Sequence, residues 1–263
     1  MSNFFKNLVK GEYIDSYGVK YSFGGKRLIQ ATEALPKYFI SEGTEIIEDR
    51  AFEAIGLTEV LIPTSVKTIG DSAFAYNHNL HYIRLPYSVE TLGDYCFNGC
   101  TGLYSIILSE SLKEFSDGVL SGCENIREIL IPFNVNRIGN YALFNTGLKD
   151  LPLHNGIVEI GRFAFARCKS IKNVKIPNSV SNIGEGAFQE CTALEEISLP
   201  NTLTHIPNGT FAQCSSLKSI SIPPSVQSIA PTAFIGCDAL EKVDMGNPNI
   251  KVHQAFPFCP LLK

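Results

Sequence analysis

Ile176–Pro200 reads IPNSVSNIGEGAFQECTALEEISLP, and most of the chain is a variation on it. Apolar or small residues stand at Ile176, Val180, Ile183, Ala187, Phe188, Cys191, Leu194 and Ile197. The stretch closes on Leu199-Pro200, where the next copy begins. That closing position recurs as Ile40, Ile62, Leu85, Leu108, Ile131, Leu153, Ile176, Leu199, Ile222 and Met245, in steps of 23 residues with two of 22. Self-similarity at a fixed period of this length marks a solenoid. Each coil of a solenoid buries its apolar face only against its neighbours, so 263 residues form one elongated body without outgrowing a core.

Within one copy, Leu194–Leu199 alternates inward and outward, as a half-buried strand does. Stacked coil on coil, these runs predict a parallel sheet along one face. Proline then stops the strand at Pro63, Pro86, Pro132, Pro177, Pro200 and Pro223, because it lacks the N–H a ladder needs. A Ser-Val-x-x-Ile segment (Ser65, Val66, Ile69; Ser179, Val180, Ile183) predicts a second short strand, and Asp71–Phe74 fits one helical turn that brings the chain back. The expected class is therefore α/β: a parallel sheet on one face, with short strands and helical turns on the other.

Phe52, Phe74, Phe97, Phe165, Phe188, Phe211, Phe234 and Phe256 fall in one column, with Leu120 and Leu143 on the remaining rungs. At about 4.8 Å per coil they would form a continuous spine. Glycine follows the Ile column at Gly70, Gly93, Gly139, Gly161 and Gly184, but Pro207 takes the same place. Proline cannot adopt positive φ, so this glycine is read as permitting close packing.

Residues 1–39 fall outside the repeat and are read as an N-terminal cap. Phe4, Phe5, Leu8 and Val9 share one face of a short helix, and Tyr17, Val19, Tyr21 and Phe23 alternate up to Gly24-Gly25 before Arg27–Gln30 returns as a hairpin. Residues 40–263 are the solenoid, of about ten coils. At the far end Val252, Phe256, Phe258, Leu261 and Leu262 continue the core pattern with no polar cap. Either Pro257–Lys263 covers that edge, or the edge associates with a second copy.

A net charge of −4 supplies no basic field for nucleic acid or an anionic membrane, and no apolar run reaches the length of a bilayer span. The start, MSNFFKNLVKGEY, lacks an apolar segment followed by small residues, so a secretion signal is read as absent or removed. Cys100, Cys123, Cys168, Cys191, Cys214, Cys237 and Cys259 each sit three residues after the aromatic column, and Cys96 replaces the alanine of Ala73 and Ala187. Small apolar residues in core register, without paired ligand spacing, are expected to be buried free thiols.

The repeat L-x-x-I-x-L-P-x-S-V-x-x-I-G-x-x-A-F-x-x-C, carried by Leu194–Phe211 and Leu217–Phe234, resembles the leucine-rich repeat subclass named after the bacterial surface protein BspA. Gly18-Val-Lys-Tyr-Ser followed by Gly25-Lys-Arg-Leu is similar to the hairpin that leads into such repeats. The resemblance implies a curved solenoid used for protein binding, often in adhesion at the surface of host-associated microbes, without catalysis or cofactor. Leu120 and Leu143 for Phe, and Ser109 and His154 for Pro, depart from the pattern. The unpaired cysteines and the lack of a leader leave a cytoplasmic location as the alternative.

Catalytic chemistry finds no support in spacing. His78, His81, His154, His205 and His253 occupy different coil positions and are read as solvated loop residues. No GxSxG, HExxH, P-loop or paired CxxC occurs, so no catalytic, cofactor or metal residue is assigned. Asn208-Gly209-Thr210 matches a glycosylation sequon by chance-level pattern only.

The outward strand positions say more. One column runs Thr58, His81, Tyr104, Arg127, Lys149, Lys172, Glu195, Lys218, Glu241; beside it run Glu59, Tyr82, Ser105, Glu128 and Leu61, Arg84, Ile107, Leu130. The amino-terminal half is apolar and aromatic where the other half is charged or small. Leu61, Tyr82, Tyr104, Ile107, Leu130 and Phe133, extended by Tyr87, are the candidate partner-binding surface, since clustered exposed aromatics concentrate binding energy. The bland alternative is that strands simply favour Tyr, Ile and Phe. The competing functions are a scaffold module of a larger or oligomeric assembly and a carbohydrate-binding surface. An acidic ligand at Arg127, Lys149 and Lys172 is a further option.

Overall fold

The computed structural model describes residues 11–250, 256 and 259–262; the helix expected at Phe4–Val9, and Val252 and Phe258, lie outside them. The coils stack at the period the sequence sets. At the amino-terminal end, β1 (Glu12–Ile14), β2 (Val19–Ser22) and β3 (Arg27–Ala31) run antiparallel. β3 then pairs in parallel with Ile46–Ile47, so the hairpin continues directly into the stack. Below it the Tyr38 hydroxyl donates to Asp15 Oδ2 at 2.6 Å and lies 2.7 Å from the Tyr21 hydroxyl. Burial, then the bond to Asp15, push the Tyr38 phenol well above its ordinary pKa.

Two strand faces follow. On one face β4 (Lys37–Phe39) pairs in parallel with Glu59–Leu61, and Tyr82–Arg84 with Ser105–Ile107. On the same face Asn173–Lys175, Glu196–Ser198, Ser219–Ile222 and Lys242–Met245 form a four-stranded ladder. In each three-residue strand of this face the middle side chain is buried and its neighbours point out, as alternation dictates. The second face carries two-residue strands from the Ser-Val-x-x-Ile segment, such as Thr68–Ile69 beside Thr91–Leu92.

Among the described residues there is no helix, which corrects the α/β class: the molecule is a β-solenoid. The helical turn expected at Asp71–Phe74 is replaced by a strip of alternating backbone. Residues two before and two after the aromatic column take positive φ: Ser72 (53°) and Tyr76 (60°) around Phe74, Tyr95 (57°) and Gly99 (68°) around Phe97. The alternation aims every second N–H at the next coil, while those between, Ala73 and Ala75, bond back along the chain to the Gly70 and Ser72 carbonyls at 3.3 and 3.0 Å. Ser72, Phe74 and Tyr76 donate to the carbonyls of Asp94, Cys96 and Asn98 at 2.9, 2.9 and 2.8 Å. Tyr95, Phe97 and Gly99 repeat the triplet onto Asp117, Val119 and Ser121. A helix would satisfy these donors locally; here stacking satisfies them. Each left-handed non-glycine residue costs on the order of 1–2 kcal/mol, which the inter-coil bonds offset.

The spine is as the column implies. Phe52, Phe74 and Phe97 stack with ring centroids 5.4 Å apart, and Phe165, Phe188 and Phe211 at 5.6 and 5.7 Å. Leu120 and Leu143 fill the intervening rungs, fully buried. All eight cysteines are free and buried. Seven of them donate Sγ–H to the carbonyl of the aromatic-column residue one coil back: Cys100 to Phe74 and Cys191 to Phe165, both at 3.2 Å. Asn77 takes the cysteine position in its coil and bonds the Phe52 carbonyl at 2.8 Å. Burial pushes the thiols up, to about 12 for Cys100 and Cys237 and about 11 for Cys168.

Gly93 shows what the glycine column is for. A Cβ there would lie 2.3 Å from the Asp71 amide nitrogen of the coil before, and its φ is not positive. That amide belongs to a stitch the sequence reading missed: Asp71 N–H donates to Asp49 Oδ1, Asp94 to Asp71, Asp117 to Asp94 and Asn140 to Asp117. Burial raises the Asp94 pKa against the lowering effect of its bond from Asp117.

Candidate functional site

The first strand face presents the candidate residues together. Leu61 is 62 % exposed, Leu130 90 % and Phe133 82 %; Tyr82, Tyr87, Tyr104 and Ile107 are also exposed. All of them lie on or just past the strand run of neighbouring coils. Register joins Ser105 to Tyr82 and Ile107 to Arg84, so Arg84 stands within the apolar patch. The His81 and Tyr104 rings lie 6.0 Å apart on adjacent rungs, and both are exposed.

Phe39 belongs to the same surface and was missed. It is 64 % exposed and register places it beside Leu61. The signal was available: Phe39 occupies the column of Leu61, Arg84, Ile107 and Leu130 one coil earlier. The first coil begins before Ile40 in this register, which hid it.

The sheet beneath the patch is not the continuous ladder expected. No hydrogen bonds between described residues join the Glu59–Leu61 rung to Tyr82–Arg84. From Ser105–Ile107 to Asn173–Lys175 the ladder fails across three successive interfaces, crossed on this face by the Lys149 amide on the Arg127 carbonyl at 3.2 Å. Pro152 supplies one cause. In a parallel ladder alternate residues bond alternate neighbours, and this position donates to the preceding coil. Proline has no N–H to give, so the carbonyl of Ile129 loses its donor.

Arg127 bridges the gap with its side chain. Its Nη1 donates to the Glu124 and Gly147 carbonyls, each at 3.2 Å. Gly147 makes that crossing possible, since a Cβ there would fall 1.7 Å from Nη1. A groove of about 350 Å³ opens here, floored by Ile129 and Leu151 and flanked by Pro152 and by two cations, Arg127 and Lys149, each next to a carboxylate, Glu128 and Asp150.

His154 corrects the reading of solvated histidines. It is half-buried, its ring 4.9 Å from that of Phe133. The Gly156 N–H donates to Nδ1 at 3.0 Å, which leaves Nε2 to donate to the Pro132 carbonyl at 3.1 Å. It thereby props Phe133 outward. His78, His81 and His205 are exposed, His205 bonding Ser228 at 2.7 Å. His253 lies outside the described residues.

Beyond the gap the face changes character. Ser198 and Ser221 stand opposite each other, and Lys218 bonds Glu195 at 3.0 Å, holding that carboxyl below its ordinary range. Among the described residues no group of three or more His, Cys, Asp or Glu is placed to hold a metal ion. No helix among them is long and apolar enough to cross a membrane.

A family model described as the BspA type leucine-rich repeat region, in 6 copies, matches residues 26–149 and 136–263. Among solved structures the chain is similar to the pneumococcal vaccine antigen PcpA, with a TM-score of 0.61 and 21 % identity. That match covers 81 % of this chain and 63 % of PcpA, so the chain spans under two thirds of that protein, and the likeness is one of fold. A leucine-rich cell surface protein from Faecalibacterium prausnitzii A2-165 matches at TM-score 0.41 and 22 % identity, covering 94 % of this chain and 97 % of that one. A leucine-rich repeat protein of T. pallidum matches at 0.43 and 22 %, covering 81 % and 82 %. No curated protein matches by sequence.

Proposed function

Since the chain belongs to the BspA-type leucine-rich repeat family, we propose that it is a non-enzymatic module that recognises a partner protein through its first strand face. The observation that supports this reading is the cluster of Phe39, Leu61, Tyr104, Leu130 and Phe133, all more than half exposed on neighbouring coils. Scattered apolar residues on a surface are ordinary, but a contiguous set on one face of a stack is a feature of interaction sites. The rigid spine below fixes the spacing of these side chains, so little order has to be created on binding. Adhesion is the narrower form of the proposal and rests on the resemblance of the repeat.

The test is the triple variant Tyr82→Ser, Tyr104→Ser, Leu130→Ser beside the wild type in affinity capture from candidate host and microbial lysates. Partners captured by the wild type are expected to vanish with the variant while its thermal melt is unchanged. An identical set from both proteins would reject the face. Sedimentation at high concentration checks the scaffold alternative: a concentration-dependent dimer that survives the triple variant would locate self-association elsewhere, such as the carboxy-terminal edge.

A further inference from the structure

We propose that the partner segment is an extended, acidic stretch of polypeptide with apolar anchors, lying along the groove between the Arg127 and Lys149 rungs. This rests on the reading of the strand face as a recognition surface and adds the chemistry of what binds there.

Three independent observations meet at this place. The first is charge. The chain carries −4 overall, yet Arg127, Lys149, Lys172 and Lys175 stand on this stretch of the face against Glu128 and Asp150. Elsewhere on the face Lys37 is paired with Glu59 at 2.8 Å and Lys218 with Glu195 at 3.0 Å, while Arg84 and Lys242 stand singly on their strands. Only in this stretch do four cations gather, two more than the carboxylates beside them. Among the described residues Arg127, Lys149, Lys172 and Lys175 make no ion pair, and all are exposed. Arg127 is held in place by two carbonyls, which satisfy part of its fork and leave its charge uncompensated.

The second observation is the interrupted ladder. Rungs elsewhere on this face exchange their main-chain groups with a neighbour, whereas those between Ser105–Ile107 and Asn173–Lys175 leave theirs largely unspent. Unpaired main-chain donors and acceptors at a strand are a template for an added extended segment. The rungs stay joined by the Lys149 N–H on the Arg127 carbonyl at 3.2 Å, so the segment lies over the groove and reaches only the main-chain groups that open onto the face.

The third is the apolar rim. Leu130 at 90 % exposure and Phe133 at 82 % flank the groove, with Ile107 one coil away. They are placed to take alternate side chains of the same segment, while the carboxylates of its other residues face Lys149 and Lys172. A highly charged polyanion without apolar groups would leave this rim uncovered.

The proposal is tested with a displayed library of random 12-residue peptides panned on the intact chain, followed by anisotropy titration of the enriched peptides. Expected are peptides of net negative charge carrying aliphatic or aromatic residues. Their affinity should fall at least tenfold between low and physiological salt, and at least tenfold again in the Lys149→Glu, Lys172→Glu variant. A charge-preserving Lys149→Arg, Lys172→Arg variant should bind as the wild type does, which separates charge from folding. Enrichment of neutral or basic peptides, or binding indifferent to the glutamate substitutions, overturns the proposal. If such peptides nonetheless lose binding in the Tyr82, Tyr104, Leu130 serine variant, the recognition face stands and only its acidic partner falls. No enrichment above bare support overturns the proposal as well.

Discussion

The coils before Asn173 and those after it share one core and differ in almost everything outside it. Phe97 and Phe188 are equally buried, and their carbonyls accept the thiols of Cys123 and Cys214 at 3.2 and 3.3 Å. Yet the later coils build an unbroken ladder from Asn173 to Met245 with serines and paired charges facing out. The earlier ones present Leu61, Tyr104 and Leu130 over a ladder in pieces. The repeat constrains only what the neighbouring coil must touch. What it leaves free is where the two halves diverge.

If the core is shared, cutting it should hurt both halves alike. Phe97→Ala removes a fully buried ring packed between Phe74 and the Leu120 rung, Phe188→Ala one stacked between Phe165 and Phe211, and each should cost about 3–5 kcal/mol in a urea melt. A large difference between the two would break the comparison, by showing that the broken ladder also loosens the spine beneath it.

The thiols sharpen the same point with a smaller effect. Their folded-state pKa values lie above that of an unfolded thiol, so the neutral form is the one folding favours. For groups shifted in this direction, stability is intact below the unfolded pKa near 9 and is lost as pH rises toward about 11–12. The melting temperature should therefore hold to about pH 8.5 and then fall. Maleimide labelling at neutral pH, read by mass spectrometry, should leave Cys100, Cys123, Cys191 and Cys214 equally protected. Early labelling of Cys123 alone would show that the gap reaches the core.

Much of this was legible in the residues. The Phe and Cys columns, the inward alternation and the outward residues follow from a period and a pattern that each coil repeats. The turn at Asp71–Phe74 was not legible, because Ser72 and Tyr76 carry no preference for positive φ. Their conformation is set by carbonyls 22 residues further on, at Asp94 and Asn98. The Asp49–Asp71–Asp94–Asp117 stitch is likewise invisible until the coils are stacked, since each bond spans a whole repeat. Among the broken rungs, Pro152 announced its own failure, whereas the gap between Leu61 and Arg84 has no residue that marks it.

Proline at one outward position offers the finest cut. Pro152 and Ser198 occupy the same column, two coils apart, one in the broken ladder and one in the intact one. Ser198→Pro removes a ladder donor between Asn173–Lys175 and Glu196–Ser198 and should cost about 0.5–1.5 kcal/mol for the bond, plus any strain of the ring. Pro152→Val supplies a donor where the Ile129 carbonyl has none, with a β-branched side chain suited to the position. If proline is what holds that interface open, the variant gains up to about 1 kcal/mol, and amide exchange slows at Ile129–Ile131 and Leu151–Leu153. If exchange there is unchanged, the opening is set by the 22-residue spacing of the Ile131 and Leu153 coils, and the proline follows from a gap it did not make.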